Sequence, residues 1–372
     1  MPLARQVENR RVRYAIVGAG WISQAALMPG AAHTGNSELA ALVTGDPKKA
    51  ESLGRHYGIT KAFHYDAYHA LLADPDIDAI YLALPNEQHR QFAVPALEAG
   101  LHVLLEKPMA TSEADCRAIE QAAATTGAKL MLAYRLHFEP ATLDAIREVR
   151  AGSIGTARLF TATFSQHVAA TNHRAHQGFW AGPVPDMGPY PINAVRNLFA
   201  AEPIEVIALG THGPGLPFDF HDTVAVTLRF PGERLAQFSV SYGLNSIGSY
   251  SIVGDKGAIT VDPGFTFPGP LALTLTQGST HTPRHYPATD QFGGELQYFS
   301  ECILRNEHPE PDGEEGRLDV RILAAIEQSL TSGRPVSLDS VERHRRANPS
   351  QVRTLPPVHH PALVNAHEPA QG

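Results

Sequence analysis

The chain has 372 residues, 43% hydrophobic and 18% charged, with a formal net charge of −8; this length suggests two domains, and the composition allows a substantial core. The mildly acidic balance without a basic stripe argues against nucleic acid as a partner. No apolar run reaches membrane-spanning length, and residues 1–13 lack the apolar core of a secretory signal. Cys116 and Cys302 lie far apart and suggest no disulfide framework, so a cytoplasmic protein with reduced thiols and no membrane partner is expected.

Residues 13–17 read as a short strand passing directly into Gly18-Ala19-Gly20-Trp21-Ile22-Ser23, after which an amphipathic helix runs to about residue 32. Strand, glycine turn and helix in that order are the context of a dinucleotide-binding turn. Gly18 permits the tight turn, and Gly20 lets the backbone approach a pyrophosphate held on the helix N-terminus. Ser23 stands where the strict pattern has a third glycine, which predicts looser packing of helix on strand. The next strand, 39–43, ends in Thr44-Gly45-Asp46-Pro47-Lys48-Lys49. An NAD enzyme usually carries an acid at this strand end, for the ribose 2′-hydroxyl. Thr44 stands there instead, and Asp46 before Pro47 reads as a helix N-cap. Thr44, Gly45 and Lys49 suit a 2′-phosphate; the plainer reading makes Lys48 and Lys49 a solvated helix face.

Alternation continues with a weak strand at 62–65, a short helix at 66–72 and a strong strand at 77–84. Pro85-Asn86 follows, with Asn86 placed to cap a helix over 87–99 that stops at Gly100. The apolar run 102–105 predicts a buried strand ended by Glu106-Lys107-Pro108, because proline has no N–H for a ladder. Lys107 then projects from the carboxyl end of a strand, the edge where open parallel sheets bind ligands. A helix over 112–126, with Ser112 and Asp115 as a capping pair, and a strand over 129–133 closing at Tyr134-Arg135 complete a doubly wound parallel sheet. After Gly152-Ser153-Ile154-Gly155 the pattern changes to alternating runs at 157–164, 204–209, 223–230, 235–242, 250–253 and 258–261, read as one open antiparallel sheet. Helices over 294–305 and 316–331 follow, then a polar tail. The expected fold is α/β plus α+β: a Rossmann domain over 1–135 with a leading arm at 1–12, an antiparallel-sheet domain for substrate and oligomerisation over 136–336, and the tail 337–372.

This arrangement resembles the glucose–fructose oxidoreductase / inositol dehydrogenase (Gfo/Idh/MocA) family of nicotinamide enzymes, closest to its glucose–fructose oxidoreductase branch, from about residue 13 to 336. The segments that carry the likeness are Tyr14-Ala15-Ile16-Val17-Gly18, Leu84-Pro85-Asn86 with His89, Glu106-Lys107-Pro108-Met109-Ala110-Thr111, Tyr134-Arg135, Asp186-Met187-Gly188-Pro189-Tyr190, and Gly313-Glu314-Glu315-Gly316 with Asp319-Val320-Arg321. The resemblance implies that Gly18, Gly20, Trp21 and Ile22 hold the pyrophosphate and that Thr44, Gly45 and Lys49 grip the 2′-phosphate of NADP, with NAD the lesser cofactor. Leu84, Asn86, His89, Glu106 and Arg135 would line the nicotinamide half. Lys107 would be the catalytic lysine, with Asp186 and Tyr190 beside the reacting carbinol. The sequence departs from the pattern at Trp180-Ala181-Gly182-Pro183-Val184-Pro185, where the family often has a run of glycines.

The implied activity is hydride transfer between NADP and a sugar carbinol, most naturally C1 of an aldose giving a lactone. A cyclic diol or inositol dehydrogenase is the alternative within the family, and a non-catalytic NADP-binding regulator the alternative outside enzymes. Lys107, Asp186 and Tyr190 together favour an enzyme, because a sensor needs no proton relay. In the plainer reading Tyr190 is a core tyrosine and Asp186 an N-cap. His167, His173 and His176 lie close in sequence but lack the acidic or cysteine ligands that complete a usual metal set, so no metal is expected there; His359-His360 lies in the tail. An open sheet with helices on one face predicts a homodimer or homotetramer, with Val224, Val226 and Leu228, or Leu235 and Phe238, as candidates for the buried face.

Overall fold

The computed structural model describes residues 10–359 and 361–370, without the His173 side chain. Most of the expected leading arm, the His173 side chain and His360 thus lie outside the described residues. Two compact units are present. Among the described residues, one holds the chain up to Arg135 with Asp290–Arg317 and Arg353–His367; the other holds Leu136–Thr289 and Leu318–Val352 with residues 368–370. The division falls between Arg135 and Leu136. The expected blocks 136–336 and 337–372 do not survive as units, because the helix Gln291–Arg305 and the segment 353–367 both fold with the Rossmann strands.

The first unit is built on six parallel strands: β1 (Val12–Val17), β2 (Ser37–Val43), β3 (Lys61–Phe63), β4 (Ala79–Leu82), β5 (His102–Leu105) and β6 (Leu130–Leu132), in the order β3-β2-β1-β4-β5-β6. The central strands are buried on both faces, with Ile16, Val17, Ile80, Tyr81, Leu104 and Leu105 all at 0% exposure. That is why they read as continuous apolar runs rather than alternations. The order reverses between β1 and β4, so the loops after β1 and β4 flank the switch point where such sheets bind ligands. Two helix starts behave locally as their sequences imply, and a third does not. Asp46 caps Pro47–Tyr57, and Ser112 caps Glu113–Thr126 by accepting from Asp115 N–H at 3.1 Å while donating to its carboxylate at 2.8 Å. Asn86 does not cap. It is the first residue of a short 3-10 turn, Asn86–Gln88, that leads into His89–Glu98.

The second unit carries nine strands: β7 (Ala157–His167), β8 (Glu205–Thr211), β9 (Thr223–Phe230), β10 (Arg234–Ser241), β11 (Gly243–Gly254), β12 (Ala258–Val261), β13 (Ala272–Gln277), β14 (Thr280–His285) and β15 (Val336–Ser337). Their order is β14-β13-β12-β11-β7-β10-β9-β8-β15. The sheet is mixed rather than purely antiparallel: β10 and β7 run parallel, from Leu235 opposite Leu159 to Ser241 opposite Ser165. The runs expected from the sequence omit β13, although it alternates Leu273 and Leu275 into the core, and also the polar β14 and the two-residue β15.

Alternation along the strands sorts the two faces. Val224, Val226, Leu228, Ala236, Phe238 and Val240 point into the core. Leu235 lies on the other face. There it is opposite Leu159, which is in turn opposite Val253, and the three are 42%, 39% and 40% exposed. The core set is therefore not an outward face, and the exposed apolar row crosses β10, β7 and β11.

Candidate active site

In the first unit Gly18 follows β1 with φ +96°, a region side chains rarely enter. A Cβ at Gly18 would lie 2.3 Å from the Ala83 carbonyl oxygen, so only glycine lets the turn pass the end of β4. At Gly20 a Cβ would meet no protein atom within 4 Å. The turn therefore presents bare backbone at the start of the helix over 21–33, a cradle that fits a pyrophosphate. Half-buried Trp21 and Ile22 open that helix. Ser23 is buried and donates its hydroxyl to Gly18 O at 2.6 Å, and a π-turn spans Ser23–Leu27. The serine thus locks the turn, and the wider helical winding accommodates it.

The loop after β2 supplies a second donor set. Thr44 is buried, with its Oγ1 accepting from Asp46 N–H at 3.3 Å, which leaves the hydroxyl proton to donate. Gly45 passes beside His64 and Tyr65. Asp46 Oδ1 accepts from the N–H groups of Lys48 at 2.9 Å and Lys49 at 3.2 Å. Lys49 is half-buried; burial lowers its ammonium pKa, with the Asp46 charge pulling the other way. A hydroxyl, an ammonium and a helix N-terminus fit a phosphate, and the one acid nearby already serves backbone donors.

Beyond β5, Lys107 is half-buried, and its N–H donates to Glu106 Oε2 at 3.3 Å. Glu106 is 9% exposed and accepts from the Tyr81 hydroxyl at 2.6 Å. Burial pushes its carboxyl pKa up, against the pull of Lys107 and Tyr81. Arg135, 2% exposed, donates to Gln291 and lies 5.8 Å from the Phe292 ring centre. His89 is fully buried, with Nδ1 facing Pro108 O at 3.0 Å and Nε2 facing Leu84 O at 2.9 Å, and burial drives its pKa down. The expected nicotinamide lining therefore divides. Leu84, Asn86 and Lys107 are partly exposed. His89, Glu106 and Arg135 are buried behind them, and His89 clasps the loops after β4 and β5 together. Tyr81, Gln291 and Glu295 were not legible beforehand. Glu295 is fully buried, and both carboxyl oxygens lack a hydrogen-bond partner among the described residues. Burial raises its pKa far above the usual carboxylate value, and the charge of Glu106 adds to the shift. Its place four residues after Gln291 on an apolar helix was the one available signal.

In the second unit Asp186 lies in the helix Pro183–Met187, and Tyr190 in Pro189–Phe199. Gly188 between them is itself helical, and Ile192 N–H reaches Gly188 O at 3.1 Å. Asp186 and Tyr190 are therefore one turn apart on a nearly continuous helix. Asp186 is not an N-cap, since Gly182 takes that position. Its Oδ2 accepts from the Tyr242 hydroxyl at 2.9 Å and from Gln166 Nε2 at 3.3 Å. Burial would lower the pKa of Arg174, but the charges of Asp186 and Tyr242 hold it above its usual value. These partners come from segments remote in sequence, and no local pattern marked them. Tyr190 is half-buried, edge-on to Phe164 with ring centres 5.3 Å apart. His167 and His176 are exposed, and no group of three or more His, Cys, Asp or Glu among the described residues is placed to hold a metal.

A Rossmann sheet with a glycine turn at its switch point, joined to a unit carrying an acid and a tyrosine on one helix, defines a two-domain oxidoreductase. Residues 12–134 match the oxidoreductase family with an NAD-binding Rossmann fold, GFO/IDH/MocA, and residues 143–260 match the C-terminal domain of the same family. The chain belongs to that family, and it is an oxidoreductase acting on CH–OH donors. The aldose-aldose oxidoreductase of Caulobacter crescentus, solved with glycerol, superposes with a TM-score of 0.83 at 34% identity, over 88% of this chain and 100% of that one. The NADP(+) D-xylose 1-dehydrogenase of Haloarcula marismortui is 28% identical over 88% of this chain and 93% of its own. The trans-1,2-dihydrobenzene-1,2-diol dehydrogenase of Bos taurus is 31% identical over 68% of this chain and 75% of its own.

Proposed function

We propose that this chain is an NADP-dependent sugar oxidoreductase that oxidises C1 of an aldose to the lactone. The observation that carries the reading is the pairing of Asp186 and Tyr190 on one helix, with Asp186 fixed as an acceptor by Tyr242 and Gln166. The likeness to an aldose-aldose oxidoreductase and to a D-xylose dehydrogenase supports the aldose. The dihydrodiol dehydrogenase favours the second reading, a cyclic diol as substrate. Bound NADP supplies the hydride acceptor. Tyr190 takes the hydroxyl proton, Lys107 stabilises the developing alkoxide, and Asp186 orients the sugar. Purified protein incubated with NADP and separate aldoses, cyclitols and diols tests the choice. A rise in reduced-nicotinamide absorbance with aldoses and formation of lactone are expected; turnover of diols or cyclitols alone would overturn the aldose reading.

The preference for NADP over NAD rests on Thr44, Gly45 and Lys49. Lys49→Ala is expected to weaken NADP binding by about 1–3 kcal/mol, the range for a charge-assisted bond, and to leave NAD nearly unchanged in a calorimetric titration. Equal losses for both cofactors would count against the assignment.

The row Leu159, Leu235 and Val253 supports a homo-oligomer buried on the outer face of the second sheet. Leu159→Arg with Leu235→Glu should turn a dimer or tetramer into a monomer in sedimentation at micromolar concentration. A wild-type monomer under those conditions contradicts the proposal.

A further inference from the structure

The segment Arg353–His367 folds with the Rossmann unit, and two of its residues, Val364 and Asn365, bond to the two elements assigned to the cofactor. Asp290 N–H donates to Leu355 O at 3.1 Å, and Arg353 pairs with Glu301 at 2.6 Å. Farther along, Val364 N–H donates to Gln24 Oε1 at 2.8 Å, and Gln24 Nε2 donates back to Val364 O at 3.0 Å. The same Nε2 donates to Ala19 O, inside the glycine turn, at 2.8 Å. Gln24 is 1% exposed, so both ends of a buried amide are committed to this junction. The next residue, Asn365, has φ +45°, a left-handed conformation that asparagine tolerates better than most side chains. In that conformation its Nδ2 donates to Asp46 Oδ2 at 2.6 Å.

Asp46 is the acid of the loop that carries Thr44 and Lys49. A carboxylate turned toward a 2′-phosphate repels it, whereas one turned toward a ribose 2′-hydroxyl accepts a hydrogen bond and favours NAD. Oδ1 is taken by the N–H groups of Lys48 and Lys49, and Oδ2 by Asn365. With both oxygens engaged, the carboxylate is held in one orientation and Thr44 and Lys49 are left to meet the phosphate. The Asn365 bond, followed by the backbone bonds, holds the Asp46 carboxyl pKa below its usual value, so its charge persists and its orientation matters.

We propose that Asn365, anchored through the Val364–Gln24 pair, is a positioning residue for cofactor specificity, holding Asp46 so that the site prefers NADP to NAD. The proposal rests on the NADP reading of the Thr44–Lys49 loop. The test uses the full-length, cofactor-free protein titrated separately with NADP+ and NAD+ by calorimetry. Asn365→Gly keeps the left-handed backbone and removes only the amide; Asn365→Asp places a second carboxylate against Asp46. Both should raise the NADP+ Kd about tenfold, equivalent to roughly 1.4 kcal/mol, with NAD+ unchanged within about twofold or bound tighter. Unchanged affinity for NADP+, or equal loss for both cofactors, overturns the proposal. Lys49→Ala runs alongside. If it weakens NADP+ while Asn365→Gly does not, only the role of Asn365 falls; if neither changes NADP+ binding, the loop is not the phosphate site.

Discussion

Replacing Tyr190 with phenylalanine is expected to cut turnover about 100-fold or more while NADP stays bound, because the substitution deletes the group proposed to take the carbinol proton. Oxidising the carbinol to a carbonyl removes the hydroxyl proton as well as the hydride, so a base must take that proton from the oxygen. Lys107→Ala should cost a comparable factor, because it removes the cation proposed to stabilise charge developing on the substrate oxygen. The phenylalanine variant is a clean probe. The ring packs edge-on against Phe164 and near Phe265, contacts that the hydroxyl does not make. Single-turnover rates with saturating sugar, beside cofactor titration, measure both variants. Near-normal turnover in Tyr190→Phe would remove that residue from the role of base.

The second large effect is on stability. Arg196 is fully buried in the same helix as Tyr190, donating from Nη2 to Glu202 at 3.2 Å and from Nη1 to Asp319. Arg346 adds a 2.9 Å bond to Glu202 and a 3.0 Å bond to Arg196 O. Removing one partner of such a buried network leaves uncompensated charge in a low dielectric, at a cost of about 3–5 kcal/mol. Arg196→Ala should lower the denaturant midpoint accordingly or abolish folding. Arg196→Met with Asp319→Leu removes the charges together and should recover much of the loss. A single variant within about 0.5 kcal/mol of wild type, the range of a neutral surface change, would show that the network contributes little.

Some of the molecule follows from local rules alone. A strand running into Gly18-Ala19-Gly20, an Asp before a proline, and a serine three residues before an acid specify a turn and two helix caps. The hydrogen bonds of the two caps close within a few residues, whereas the glycine turn also answers to the Ala83 carbonyl beside it. Continuous apolar runs, as in β4 and β5, likewise announce strands buried on both faces. Asn86 is the exception that defines the limit: it carries a capping side chain, yet the chain enters a 3-10 turn there.

What only the tertiary structure decided are the long-range partners. Period-2 alternation separates two faces of a strand without saying which is inside, and packing placed Val224 and Phe238 in the core and Leu159 and Leu235 outside. The parallel pairing of β7 with β10 joins strands almost seventy residues apart, and no local signal encodes it. The expected tail, polar in composition, is tied by Val364 and Asn365 to Gln24 and Asp46 across more than three hundred residues. Tyr242 and Gln166, from other segments, likewise meet Asp186. A sequence carries its short-range hydrogen bonds in its own order. Burial and charge pairing between distant segments depend on which surfaces meet, and that is settled only when the sheets are assembled.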